Sequence, residues 1–320
     1  MTLWDENAAK MGSRANDVLG AENDGSRPMR PVLKAAFTSI QDRLKRGGGL
    51  AGEPLGLTVV DDALDGWQRG CLYIIGGRTG MGKSIVGLNV ATLAAEKGLG
   101  VDFLSLEMTV EEQAIRALLS QSSVPSWRLK LNKVEPEHWT AMTATVNAMC
   151  KWPWSWSDKG GVTIEQIAEQ VRRCKAKMAD KGQRLFLVVV DHIQKIRGSR
   201  GRDRRTEMVH ITDSLKTLAK DEDVCVIGLA QINRGTEARG QKDRRPRITE
   251  LQESGSIEQE ADAIMLLYRE DYYRKKGEWD NVLEVSMPKI RGGEPSFARL
   301  RFTGECYRID NLAEGDWVDE

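Results

Sequence analysis

Beyond residue 56 the chain alternates short aliphatic or β-branched runs with longer stretches whose apolar positions recur every three to four residues. Leu72–Gly76, Val101–Leu106, Leu185–Val190, Val224–Ala230 and Ala263–Tyr268 are almost wholly apolar, the pattern of strands buried on both faces. Between them Ser84–Glu96, Val110–Ser120, Pro136–Cys150, Thr163–Ala179, Arg205–Lys220 and part of Ile248–Glu260 carry helical spacing. This order predicts an α/β fold, a largely parallel central sheet flanked by helices. Val282–Met287, Phe297–Phe302 and Cys306–Asp310, separated by Gly-containing turns, predict antiparallel strands added to the sheet edge.

Ahead of this region, residues 1–30 are polar and aperiodic, which predicts a flexible tail. Val32, Leu33, Ala36, Phe37, Ile40 and Leu44 then share one face of a predicted amphipathic helix that Gly47-Gly48-Gly49 ends. Residues 31–55 thus form a helix and a Gly-containing linker, 56–312 the main domain, and 313–320 an acidic tail. The helix needs cover for its apolar stripe, from its own domain or from a neighbouring subunit. Trp152, Trp154 and Trp156 alternate, so their rings share a face if the segment is extended. Pro153 favours an edge strand or turn, and packing beneath a helix is favoured over a base-stacking platform.

Charge adds little globally: 47 basic and 47 acidic side chains give a net charge of zero, so any attraction for a polyanion must be local. The five cysteines form no CxxC pair, which argues against a zinc site or disulfide framework and for a reducing cytoplasm. No export signal or apolar run of membrane-spanning length is present, so no membrane partner is expected.

The strongest chemical signal is Gly77-Arg78-Thr79-Gly80-Met81-Gly82-Lys83-Ser84, a complete GxxxxGK[ST] loop between a predicted strand and a predicted helix. Such a loop aims backbone N–H groups and a helix N-terminus at phosphates, and its glycines permit close approach. Lys83 is assigned to the β- and γ-phosphates of ATP or another nucleoside triphosphate, and Ser84 to Mg²⁺. Three more strand ends carry polar groups: Asp191 after Leu185–Val190, a metal-ordering acid; Glu107 after Phe103–Leu106, an acid able to polarise water; and Gln231 after Val224–Ala230, a neutral phosphate sensor.

These pieces extend into a longer likeness. Gly80–Ser84, Phe103-Leu-Ser-Leu-Glu-Met108, Val190-Asp-His-Ile-Gln194, Ser214–Ala219, Val226–Gln231, Glu253-Ser-Gly-Ser-Ile-Glu-Gln259 and Leu267–Glu270 resemble the RecA-like motor domain of DnaB-type replicative helicases, over about residues 31–312. The resemblance implies a catalytic role for Glu107, a Walker B role for Asp191 and phosphate sensing by Gln231. It implies a homo-oligomeric, hexameric ring with ATP and Mg²⁺ between neighbours, where Lys289 and Arg291 act on the adjacent subunit's nucleotide. The helix at 31–45 matches the family's linker helix. Single-stranded DNA is the implied substrate, and a helicase loader or primase the implied protein partner, although only a short polar stretch stands where the family carries a helical domain used for primase contact. A RecA-like recombination or loader ATPase is the alternative, and the Glu253–Gln259 run argues against it.

Local basic charge lies in two segments. Arg197–Arg205 holds five arginines against one aspartate, and Arg234, Arg239, Lys242, Arg244, Arg245 and Arg247 cluster in the second. The family's strand contacts map to the loop containing Gln252, Glu253 and Gly255, with Gln252 standing where the family has an arginine. Sequence-independent, salt-sensitive DNA gripping is expected of this set.

Overall fold

The computed structural model describes residues 28–45, 49–198, 204–232, 244–251, 254–273 and 281–312. It divides into two units, residues 1–49 and 50–320. The first contains helix α1 (Met29–Lys45), which has the predicted apolar stripe and exposes it: Leu33, Phe37, Ile40 and Leu44 are each more than half accessible.

The second unit is a nine-stranded sheet in the order β3-β2-β4-β5-β1-β6-β7-β8-β9. Its strands are β1 (Leu72–Gly77), β2 (Gly100–Ser105), β3 (Trp154–Ser157), β4 (Leu185–Asp191), β5 (Cys225–Gln231), β6 (Ala263–Tyr268), β7 (Val282–Ile290), β8 (Ser296–Thr303) and β9 (Arg308–Asn311). The first six run parallel and the last three antiparallel, as predicted for the five continuous apolar runs and for the three final runs separated by Gly-containing turns; β3 is an addition to the parallel set. Every residue of β1, β2, β4 and β6 is buried, since helices cover both faces.

The helices of this unit are α2 (Thr58–Leu64), α3 (Lys83–Glu96), α4 (Val110–Ser122), α5 (Ser126–Lys130), α6 (Pro136–Met149), α7 (Ile164–Ala179), α8 (Arg204–Glu222) and α9 (Ser254–Glu260). Reciprocal side-chain caps start α4 (Thr109 with Glu112) and α7 (Thr163 with Gln166), satisfying backbone donors that a bare helix end leaves open. The short helices α2 and α5 are additions to the predicted set, because five to seven residues give too little periodicity to read. The predicted strand at 306–310 becomes a helical turn through Cys306 followed by β9, with Tyr307 in the left-handed region. None of the described helices is long and apolar enough to cross a membrane.

Trp154 and Trp156 lie in edge strand β3, and Trp152 precedes it. Trp154 and Trp156 lie 6.3 and 5.1 Å from Phe103 and line an apolar hollow with Ile115, Leu118 and Val146 of α4 and α6. They are packing residues beneath helices, as expected.

On the other face of β2, Asp102 is fully buried: one carboxylate oxygen accepts from Gln170 at 3.5 Å and the other has no hydrogen-bond partner among the described residues. Burial pushes its carboxyl up to about 6, opposed by hydrogen bonds from Gln170 and Ser155. The folded state therefore holds this proton more tightly than the unfolded chain, and stability drops as pH rises between 3.8 and about 6. Asp102→Asn is expected to stabilise the protein by roughly 1–3 kcal/mol near neutral pH. In denaturant melts across pH, that gain should disappear below about pH 4.

Candidate functional site

The parallel registers bring the polar strand ends into one row. Gly77 pairs with Gln231 across β1 and β5, and Ser105 with Asp191 across β2 and β4. Glu107 lies two residues beyond the end of β2. The phosphate loop, Asp191, Glu107 and Gln231 therefore share the carboxyl edge of the sheet, where open α/β sheets bind ligands.

The loop is shaped by its glycines and anchored by one methionine. Gly80 (φ +84°) and Gly82 (φ +99°) hold left-handed conformations, and a β-carbon on either would fall within 3 Å of Tyr272 or Phe302. Met81 is buried, pinning the middle of the loop to the core. Gly82 caps α3 without a side-chain hydrogen bond to the helix's first amides, and a helix N-terminus of this kind suits an anion. A β-carbon on Gly77 would lie 3.2 Å from the Lys83 stem. Lys83 donates to the Arg78 carbonyl at 3.1 Å, and Arg78 donates to the Tyr273 hydroxyl at 2.6 Å.

Desolvation lowers the Lys83 ammonium from its ordinary range, with Asp191 and Glu107 pulling the other way. Desolvation also raises Asp191, opposed by the Ser84 hydroxyl and His192 and assisted by Glu107. A hydroxyl and a buried carboxylate are hard oxygen donors of the type that suits Mg²⁺, and the Ser84 hydroxyl acts on the Asp191 carboxyl, so Ser84 and Asp191 fit that ion.

Glu107 is half exposed, with Oε2 at 3.2 Å from His192 Nε2. Gln231 donates through Nε2 to Thr79 Oγ1 at 3.1 Å, tying the end of β5 to the Gly77–Ser84 loop. Three contributors had no assigned role in the sequence reading. Buried Gln113 donates to Asp191 Oδ2 at 3.3 Å; His192 contacts Glu107; and Gln194 bonds the backbone of Gln231. His192 and Gln194 stand inside a quoted motif, but nothing in their spacing reveals where their side chains point. Gln113 resembles any helix glutamine until the fold turns it inward.

Lys289 and Arg291 are not part of this row. Ile290 pairs with Ala263 at the start of β6, so both basic residues sit at the opposite edge of the sheet. Arg291 bonds Asp262 Oδ1 at 3.0 Å, and Lys289 donates to the carbonyls of Glu258 and Gln259 at the end of α9. Desolvation and the charge of Arg291 lower the Lys289 ammonium.

Of the basic residues assigned to DNA, Arg234, Arg239 and Lys242 lie outside the described residues, as do Gln252 and Glu253. Arg244 stacks over Tyr273 at 4.8 Å. Arg245 is engaged in a two-point pair with buried Glu284, at 2.7 and 2.9 Å, which raises its guanidinium further. Its charge is thereby matched inside the chain. Arg247 is exposed at the start of a helical turn, and Gly255 is exposed on α9 with open space around it.

Comparison with known proteins matches these features. The DnaB-like helicase C-terminal domain model covers residues 52–311. The replicative DNA helicase DnaB of Geobacillus stearothermophilus is 33% identical over 288 residues, 89% of this chain and 62% of that protein. Its counterpart in Haemophilus influenzae is 34% identical over 301 residues, 91% of this chain and again 62% of the relative. The chain thus spans about three-fifths of the length of these relatives. Among solved structures, one described as an ATPase domain superposes with a TM-score of 0.83 at 29% identity, covering 90% of this chain and 100% of that one. A DnaB-like replicative helicase, from work on its interactions with primase, superposes with a TM-score of 0.80 at 29% identity, covering 90% of this chain and 68% of its own. The chain belongs to the DnaB-like helicase family, as its C-terminal, RecA-like motor domain.

Proposed function

We propose that this chain is the motor of a ring-forming, ATP-dependent DNA helicase that translocates on single-stranded DNA and separates duplexes during replication. The observation that carries the reading is the row at the sheet's carboxyl edge. Four neighbouring strand ends, β2, β4, β5 and β1 in sheet order, deliver Glu107, Asp191, Gln231 and the Lys83 loop to one place.

In this reading the amides of Gly80–Ser84 and the Lys83 ammonium receive the β- and γ-phosphates. Bound Mg²⁺, held by Ser84 and through Asp191, supplies positive charge beside the phosphates. Glu107 takes the proton of the attacking water, and Gln231 donates to the γ-phosphate in place of Thr79. Burial around Lys83 and Asp191 strengthens each of these interactions.

The exposed stripe of α1 supports a ring, since a neighbouring copy offers apolar cover. So does the position of Arg291, at the wrong edge to serve its own nucleotide. The helix α9 links the two ends of the scheme: Gly255 lies in its first turn, beside the segment assigned to DNA, and its last carbonyls hold Lys289. A loader or primase partner is carried by the family resemblance alone.

A forked DNA substrate tests this. With ATP and Mg²⁺, the protein is expected to separate the strands and to hydrolyse ATP faster when single-stranded DNA is added, with DNA affinity falling steeply with salt. Stimulated hydrolysis without strand separation would mean a loader or remodelling ATPase, and absence of DNA binding would sink the helicase reading.

A further inference from the structure

The strand-end row is cross-linked by a hydrogen-bonded chain whose middle members, His192 and Gln194, have no part in the phosphate chemistry proposed above. It starts at Glu107, whose Oε2 lies 3.2 Å from His192 Nε2. The other ring nitrogen, Nδ1, is 2.9 Å from Gln194 Oε1. The Gln194 carboxamide then grips the backbone of Gln231 on both sides, accepting from its N–H at 3.1 Å and donating to its C=O at 3.2 Å. The Gln231 side chain closes the chain on Thr79 of the phosphate loop at 3.1 Å. The order Glu107, His192, Gln194, Gln231, Thr79 is the order of strands β2, β4, β5 and β1 across the sheet.

The geometry points to His192 and Gln194 as positioning residues that couple the placement of Glu107 to engagement of the γ-phosphate by Gln231. This rests on the hydrolytic reading given above. These two hydrogen bonds flank residue 231, one on each of its two adjoining peptide units, and fix the carboxamide orientation, so a displacement of Gln231 cannot leave Gln194 where it was. His192 is buried and held by its neighbours, so it transmits that displacement to Glu107 instead of absorbing it by rotation. A branch leaves at the middle: the Gln194 carbonyl accepts from Arg204 Nη2 at 2.6 Å, and Arg204 opens α8 and also pairs with Glu207 at 3.0 Å. Arg204 belongs to the arginine-rich segment, so one glutamine serves the phosphate sensor, the acid and the start of a DNA-facing element.

Two isosteres separate the arms of the histidine. Glutamine places a donor near the Nε2 position and retains the contact with Glu107; asparagine places one near Nδ1 and retains only the contact with Gln194. His192→Asn is expected to lower kcat for ATP roughly tenfold with KM within about twofold, and His192→Gln to recover most of that loss. Gln194→Leu is expected to bring the ratio of DNA-stimulated to unstimulated turnover close to one. Nucleotide affinity and thermal melts, measured on each variant in the full chain, show that the fold is kept, and Gln194→Leu stands if His192→Asn does not fold. Equal kcat for His192→Asn and wild type, or full DNA stimulation in Gln194→Leu, overturns the coupling while leaving the motor reading intact. A wild-type protein that hydrolyses no ATP overturns both.

Discussion

Replacement of Lys83 by alanine is expected to lower ATP hydrolysis by roughly 10²- to 10³-fold and to abolish strand separation. Lys83 is the first residue of α3, immediately after the left-handed Gly82 cap. Desolvation lowers its pKa, opposed by the charges of two acids, Asp191 and Glu107. Such a cation is costly to bury unless an anion follows, and in the proposed function the triphosphate is that anion. Before it arrives the ammonium rests on the Arg78 carbonyl, a single neutral acceptor that a phosphate easily displaces. Alanine removes the charge and stem but keeps the helix start, since Met81 still anchors the loop and alanine is an excellent helix former. The variant should therefore melt close to wild type while losing turnover. Isothermal titration with a non-hydrolysable nucleotide, alongside steady-state kinetics, separates the effects: a variant that hydrolyses ATP within about threefold of wild type would remove Lys83 from the mechanism.

Much of this site was legible because its chemistry is local in sequence. The loop Gly77–Ser84 declares itself by glycines at positions where only glycine fits, and the left-handed conformations of Gly80 and Gly82 bear that out. Asp191 was legible because an apolar strand buried on both faces stops at a carboxylate, and the sheet order then had only to bring its end beside Ser105. Helix α1 was legible from its spacing, but its exposure is a property of the folded chain. Contacts set by side-chain direction were not legible. Gln113, His192 and Gln194 matter because three separate elements converge, and no periodicity encodes convergence. Arg245 teaches the converse: in the sequence it is one more cation in a basic run, yet the buried Glu284 of β7 claims its guanidinium.

Arg291→Ala is expected to lose roughly 10³-fold in ATP turnover and to regain activity when mixed with Lys83→Ala protein. The expectation follows from where the residue sits. Arg291 is level with the start of β1, because its N–H donates to the Asp262 carbonyl and the Asp262 carboxylate accepts from Leu72 N–H. The phosphate loop begins five residues later, at the far end of a strand rising about 3.3 Å per residue, so roughly 17 Å separates the two. An arginine at that distance, on the opposite edge, serves a neighbour's nucleotide or none. Its present partner does not lock it in place. Asp262 also takes a bond from Lys216 at 2.6 Å, so one cation and one backbone donor remain when the guanidinium leaves. The Arg291 side chain is more than half exposed and free to swing outward. For the same reason the alanine variant should fold, its buried acid still paired. In a randomly mixed ring, a productive interface needs an intact Lys83 on one side and an intact Arg291 on the other. Equal amounts of the two inactive proteins give such an interface about a quarter of the time. Turnover should thus appear on mixing, peak near equal ratio and vanish toward either pure protein. If mixed rings form, as read by light scattering and subunit exchange, and remain inactive at every ratio, Arg291 does not act across an interface.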